Sequence, residues 1–393
     1  GGFTSSVVKM QSVTDPLSID SAFSPWKNSV NTRWDKTYFY IESNGIAEHE
    51  MMAGITAWQQ QVPLPQCYTG TNAWMIPLQP EIAAVPVPVN PQHFIRGAVA
   101  VAVNGIPIFN PYTNTGVDAF LDGQLDKYGG HSGRADDYHY HTAPVHLYQK
   151  TQQKMPIAFA LDGFAVYGAI EPDGTAMKSL DANHGHFGTD GVYHYHASTA
   201  APYMIGRMVG KVTEDSTLQI IPQPAAKGVR PALTPLKDAT ITSCIPNGNG
   251  NGYILRYTLN GQQYSVDYRW TPLNATNSTY TYVFTSPNGS STTQTYTGKS
   301  PCVKITTSVG DAQKESAIEI YPNPVRSRIM FMFPPEIAPS GILECTIYSM
   351  AGKRELHTHR IQDGIDVASL AKGSYLAVLA IGTHTHTIPF IKE

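Results

Sequence analysis

The sequence predicts a predominantly β protein built around a duplicated core, and three observations carry that reading. The phrase Tyr-His-Tyr-His occurs twice, at 138–141 and 193–196, an offset of 55 residues (139 to 194). Apolar and polar residues alternate in short runs punctuated by Asn-Gly, Asp-Gly and proline, which is the pattern of strands and tight turns. Charged residues make up only 15% of the chain, whereas Gly (33), Pro (29) and Tyr (22) are plentiful, the profile of a loop-rich extracellular β protein.

At 393 residues the chain exceeds one ordinary hydrophobic core, and roughly two to four domains are expected. A net charge of −3 with scattered basic residues leaves no electrostatic footprint for nucleic acid. No window reaches the unbroken apolar run that spans a bilayer. The start, Gly1-Gly2-Phe3-Thr4, reads as an end left by removal of an export signal peptide. Of the four cysteines, Cys244 and Cys302 bracket one Tyr/Thr-rich stretch and are the expected pair. Cys345 alternates with Ile347 as a buried thiol, and Cys67 carries no assignment.

Residues 1–30 are polar and irregular, and 31–205 hold the duplicated domain. Trp34, Tyr38 and Tyr40 alternate with polar residues as a strand that runs into the Asn44-Gly45 turn. His49, flanked by Glu48 and Glu50, offers an extra ligand or proton shuttle but reads first as a surface histidine in a turn. Proline in Gln59–Gln66 and again in Pro77–Pro91 excludes a central strand, so those stretches are expected to wrap the core as extended chain. The first repeat runs from about 94 to 144 and the second from about 157 to 203. In each, an apolar strand turns at Asn104-Gly105 or Asp162-Gly163 into a second strand, and a polar loop with a Gly-His pair leads to the histidine strand. The offset is 58 as far as Phe109 and Tyr167, then 55 from Leu125-Asp126 and Leu180-Asp181 onward.

Residues 206–304 comprise a proline-punctuated connector and a Tyr/Thr-rich β unit. Tyr253–Leu259 meets Gln263–Tyr268 across Asn260-Gly261, and Tyr280–Phe284 meets Thr292–Tyr296 across Pro287-Asn288-Gly289. Its aromatics serve packing or, as a second reading, sugar binding. Residues 305–315 form a polar linker, and 316–393 alternate in short strands as a further β-sandwich.

In an extended strand alternate side chains share a face, so His139 and His141 point one way while Tyr138 and Tyr140 point the other. Two imidazoles on one face can hold one ion, with His131 returned by its glycine-flanked loop as a third ligand. His186, His194 and His196 repeat the set. Three imidazoles suit zinc or copper with one position open to water or substrate. Calcium is a further candidate, although no Asp-x-Asp-x-Asp-Gly loop is present. Asp126 and Asp181, retained at the same offset, are the candidate catalytic pair, either as acceptors behind a ligand ring or as a general base on bound water. The two histidine strands are expected to face one another and share one concave site. A bare His-x-His is weak support, since His357-Thr358-His359 and His384-Thr385-His386 occur with neither loop nor tyrosines. The opposing reading is a structural row of histidines.

Two resemblances rest on these residues. The paired Tyr-His-Tyr-His strands, with Asn104–Phe109 and Asp162-Gly163-Phe164 ahead of them, resemble the YHYH domain family of secreted bacterial proteins over roughly 34–203, with Ala165 standing where the first repeat has Pro107. Tyr321-Pro322-Asn323-Pro324-Val325, Ile347–Lys353 and Leu370–Tyr375 resemble the sorting domain of type IX secretion. The second resemblance implies the type IX machinery as partner and export to the medium or the outer surface of a Gram-negative cell. The functional expectation is a secreted protein with a transition-metal site, hydrolytic or redox, and an unknown extracellular substrate. In the hydrolytic case zinc lowers the pKa of its water to about 7 and Asp126 or Asp181 takes the proton. The rival is a non-catalytic adhesive or glycan-binding surface protein whose histidines are structural.

Overall fold

The computed structural model describes residues 14–302, 318–332, 343–349, 353–359, 361, 364–381 and 384–393. The expected linker at 305–315 and the end of the strand expected at Phe333 lie outside them. The chain divides into two compact units, 1–306 and 307–393.

In place of an irregular start, Pro16–Phe23 forms helix α1. Pro16 presets the first turn, and the Asp15 carboxylate accepts from the Leu17 amide. Ile19, Ala22 and Phe23 are buried, and so is Trp26. Strands β1 (Val30–Trp34), β2 (Tyr38–Ser43) and β3 (Trp74–Pro77) make an antiparallel sheet. The single strand expected through Trp34 and Tyr40 is a hairpin, because the Asp35 carboxylate accepts from the amides of Thr37 and Tyr38 and reverses the chain. The proline-rich stretch contributes β4 (Ile82–Pro88), which its prolines keep out of the main sheet.

The two repeats supply eight strands of one sheet. These are β5 (Ala98–Ala102), β6 (Pro107–Phe109), β7 (Gly130–Ser132), β8 (Tyr138–Tyr140), β9 (Ala158–Ala160), β10 (Ala165–Tyr167), β11 (Gly185–Phe187) and β12 (Tyr193–His196). The order β11-β12-β10-β9-β5-β6-β8-β7 reads the same from either edge once repeat one is exchanged for repeat two. Its pseudo-twofold runs between β5 and β9, which pair antiparallel around Val101 and Phe159. Those central strands are buried on both faces, which is why they read as unbroken Ala/Val runs. Both predicted turns form, with Gly105 at φ +79° and Gly163 at φ +100°.

After the repeats, β13 (Arg207–Gly210) pairs with β4, and β14 (Thr213–Glu214) pairs with β15 (Ile220–Ile221). The Tyr/Thr-rich unit is a five-stranded meander of β16 (Thr240–Pro246), β17 (Gly252–Leu259), β18 (Gln262–Pro272), β19 (Asn277–Thr285) and β20 (Ser291–Lys299). The hairpin of β17 and β18 turns at Asn260 and Gly261, both with positive φ, as the Asn-Gly signal requires. Tyr268, Tyr280 and Tyr282 are buried as packing. The disulfide joins Cys67 to Cys302, correcting the expected Cys244–Cys302 pair. Cys244 lies on β16 and Cys302 follows β20, the opposite edges of the meander, out of reach of one another. The Cys244 thiol faces the Tyr268 hydroxyl at 3.7 Å and is pushed by burial up to about 12.

The C-terminal unit has two sheets over one core. β21 (Glu319–Tyr321), β22 (Arg328–Met332) and β25 (Ile365–Asp366) form the first, and β24 (Arg354–Thr358), β23 (Leu343–Ser349), β26 (Gly373–Ile381) and β27 (His384–Lys392) form the second in that order. Ile320, Ile329, Cys345, Ile347, Ala377 and Leu379 fill the space between them. No helix among the described residues is long and apolar enough to cross a membrane.

Candidate metal centres

The first centre follows from strand geometry. On β8, His139 and the residue just past its end, His141, share a face, and β7 places His131 directly opposite His139 in the antiparallel register. The Nε2 atom of His141 lies 3.1 Å from that of His139 and 3.0 Å from that of His131. The other nitrogens decide the chemistry. His139 Nδ1 lies 2.9 Å from the Asp137 carbonyl oxygen and His141 Nδ1 lies 2.5 Å from that of Asn110. The Gln124 backbone lies close enough to His131 to favour its charged form. A carbonyl only accepts, so Nδ1 of His139 and of His141 carries the ring proton and each Nε2 presents a bare lone pair. Two bare lone pairs then face one another, and the His131 Nε2 joins them. Protonation of two of the rings is resisted, since burial and the His139 ring beside it drive His141 down to about 3, and burial first, then His139 and His141, drive His131 well below its ordinary value.

The second centre repeats this on β11 and β12, where His186 opposes His194 and His196 follows on the same face. The acceptors repeat as well, with His186 on the Ser179 carbonyl at 3.2 Å, His196 on that of Gly168 at 2.6 Å, and His194 on the Val192 backbone. Here a carboxylate joins the rings. Glu171 is 2% exposed, and its oxygens lie 3.0 Å from His186 Nε2, 3.1 Å from His194 Nε2 and 3.7 Å from His196 Nε2. Burial works to raise its pKa, but the Lys178 amide and the rings of His186 and His194 outweigh it and hold the group at about 2. His196 Nε2 is fully buried with no hydrogen-bond partner. Ligand bonds of about 2.0–2.1 Å in a tetrahedron put ligand atoms roughly 3.3–3.4 Å apart, close to the separations of 3.0–3.7 Å found here.

The shared site expected between the two histidine strands does not form. β8 and β12 belong to opposite flanks of the sheet with β10, β9, β5 and β6 between them, because the repeats pair through their first strands. His131, His139 and His141 are one group, and Glu171, His186, His194 and His196 another.

Asp126 and Asp181 sit on the tyrosine side of their strands, which corrects the catalytic part expected of them. Asp126 accepts from the Tyr138 hydroxyl and the amides of Met52, Tyr128 and Gly130, and burial raises its pKa against those donors. Asp181 accepts from the Tyr193 hydroxyl, the Asn183 amide and the Gly185 amide. Each closes the loop before the Gly-His pair, so the correspondence in the sequence reports turn chemistry. His49 is more than the turn histidine first read there. Its ring stacks on Tyr128 with centroids 3.9 Å apart, and its Nε2 lies 2.8 Å from the Tyr140 hydroxyl, which also takes the Asn104 amide and faces His146 at 3.4 Å. Trp26, Asn104, Leu147 and the two histidines line a cavity of about 150 Å³ there.

Glu171 and His146 were not singled out by sequence reasoning. A signal for Glu171 existed in the 58-residue offset, which sets it on Thr113. In the C-terminal unit Glu344, His357 and His359 form a third, exposed group with separations of 3.6 Å and 4.0 Å. There His357 Nδ1 meets the Thr346 hydroxyl, which can donate as well as accept, so no tautomer is fixed.

Residues 73–178 match the model of the YHYH protein family, and residues 319–393 match that of the secretion system C-terminal sorting domain. The first match covers all of repeat one and stops short of β11 and β12. No curated protein matches the chain. Among solved structures it is similar to dimeric latent PorU from Porphyromonas gingivalis at 12% identity, over 43% of this chain and 22% of that one, with a TM-score of 0.13. It is also similar to PorZ, an essential surface component of the type IX secretion system of the same bacterium, at 12% identity, over 92% of this chain and 51% of that one, with a TM-score of 0.17. The chain thus spans 22% and 51% of the lengths of these two proteins, and likenesses this distant bear on neither fold nor function. On the family matches, the chain carries a YHYH protein region and a secretion system C-terminal sorting domain.

Proposed function

We propose that this is an exported metalloprotein in which each YHYH strand builds one transition-metal centre, taking zinc or copper. The observation that carries the reading is the set of locked tautomers. With their Nδ1 atoms committed to carbonyl oxygens, the Nε2 atoms of His139 and His141 are acceptors facing one another at 3.1 Å, with His131 Nε2 3.0 Å from the latter, an arrangement that a cation stabilises. At the second centre the Nε2 atoms of His186, His194 and His196 gather on one buried carboxylate, Glu171, at 3.0–3.7 Å, which adds a charged ligand to three imidazoles. Imidazole donors select zinc or copper over calcium, which prefers oxygen. The sorting domain supports export by type IX secretion to the surface or the medium. The buried packing of Tyr268, Tyr280 and Tyr282 gives the glycan-binding reading no exposed platform from those residues.

The test is metal content by mass spectrometry after loading with zinc or copper and removal of free ion. The parent should retain two ions per chain, and the double variants His139→Ala/His141→Ala and His194→Ala/His196→Ala one each. A parent that retains none under either metal overturns the reading.

A further inference from the structure

The two centres are not equivalent, and their difference lies at one position of the repeat. The loop after β6 and the loop after β10 have the same backbone pattern at an offset of 58. The Thr113 amide donates to the Val117 carbonyl as the Glu171 amide donates to that of Thr175, and isolated bridges join Tyr112 to Asp118 and Ile170 to Ala176. The tips match as well, with Gly116 donating to Thr113 and Gly174 to Glu171, both glycines at positive φ. Position 171 is therefore position 113 of the first repeat. In repeat two it sends a buried carboxylate into the cluster, held by the Lys178 amide. In repeat one it is a threonine whose hydroxyl turns to Thr115 at 2.8 Å. The Asp137 carboxylate stands 3.6 Å from the Nδ1 of His139, behind the ring and away from the Nε2 atoms of the cluster.

Resting on the metal reading, we propose that centre two is a closed four-ligand site and that centre one keeps an open coordination position for a small exogenous anion or water. Four protein ligands on a tetrahedral ion leave no vacancy, the pattern of structural sites, whereas three neutral imidazoles leave one. Charge adds to geometry. A divalent ion in centre two is partly neutralised by Glu171, while in centre one its full double charge faces neutral ligands and draws in an anion or acidifies a bound water. His131, at the rim of centre one, is only partly buried and gives the approach, while His139 is sealed on its far side by Phe109, stacked at 3.8 Å.

The experiment loads the full chain with cobalt(II), whose visible spectrum reports coordination, and titrates azide as a small anionic probe. The His194→Ala/His196→Ala variant, which leaves centre one, should bind one cobalt and shift its spectrum with azide. The His139→Ala/His141→Ala variant should bind one cobalt and stay silent. Glu171→Thr should keep its cobalt and gain an azide response at centre two, and Thr113→Glu should abolish the response of centre one. Cobalt bound at both centres with no azide response at centre one, or an equal response at both, overturns the division of labour and leaves the metal reading standing. Failure of either single-centre variant and of the parent to bind cobalt at all sinks both.

Discussion

A histidine ring in these clusters has its role set by the atom it does not use for the cluster, since the carbonyl behind Nδ1 fixes which nitrogen is bare. That information was only half present in the sequence. Period two placed His139 with His141, and the Gly-His pair announced His131, because strand alternation and a tight return are local. Glu171 was faint as a ligand because loop carboxylates have no periodicity and only the 58-residue offset, which sets it on Thr113, distinguishes it, and Asp126 was misread because a retained offset does not say which face a side chain takes. Asp126→Asn tests the corrected role. It weakens the acceptor shared by Tyr138 and three amides, so stability should fall by about 1–3 kcal/mol in a urea melt while metal content stays at the parent level. Loss of metal with unchanged stability would return Asp126 to the site. A second residue-scale prediction concerns His146, whose pKa burial and the neighbouring His49 hold down at about 4. Between its ordinary value near 6.5 and about 4 the unfolded chain takes up a proton that the folded chain refuses. Its contribution to stability is therefore intact above pH 6.5 and lost as the pH falls toward 4. The melting temperature of the parent should drop more between pH 7.5 and 4.5 than that of His146→Gln, and parallel curves would show that the ring does not couple folding to acid.

At the scale of the element, hairpins were the most readable features, because Asn-Gly and Asp-Gly name their own backbone conformation. Pairing between the repeats was not readable. Nothing local says that β5 meets β9 and so drives β8 and β12 to opposite flanks; that choice is made by burial of the two apolar first strands against each other. The turn at Gly105 shows how closely the repeat is seated on the N-terminal sheet. A Cβ there would stand 2.6 Å from Ser43 Cβ and 2.9 Å from a methyl of Val30, at a φ of +79°. The left-handed backbone alone costs a non-glycine residue about 1–2 kcal/mol, and the contacts with Ser43 and Val30 add to it. Gly105→Ala should therefore lower the unfolding free energy by more than that backbone term, whereas Gly261→Ala, at φ +72° with open space around it, should lose only the backbone term. Equal losses at the two sites would mean that the Ser43 contact relaxes freely.

Across the whole of residues 14–302, one apolar core runs from Ile19 through both repeats to Tyr282 in the meander. The sequence presented the repeats and the meander as separate alternating patterns, each complete in itself, because packing between two faces leaves no mark on the period of either. Two polar ties cross the same boundary. Arg230 of the connector grips the buried Asp136 of repeat one through Nε at 2.9 Å and a terminal nitrogen at 2.8 Å, lying over the Tyr282 ring of β19. The Cys67–Cys302 disulfide closes a loop of 235 residues from the first sheet to the end of β20. A cross-link over so long a loop restricts the unfolded chain strongly, and removal of such a native disulfide commonly costs about 2–5 kcal/mol. Cys67→Ser with Cys302→Ser should lower the unfolding free energy in a urea melt by that amount and leave metal content unchanged, because neither cysteine belongs to a histidine cluster and the strands that carry the clusters pair without them. A variant that keeps its midpoint would show that the shared core and the Arg230–Asp136 pair already hold the meander in place, and one that loses its metal would show that the repeats depend on the meander to form their sites.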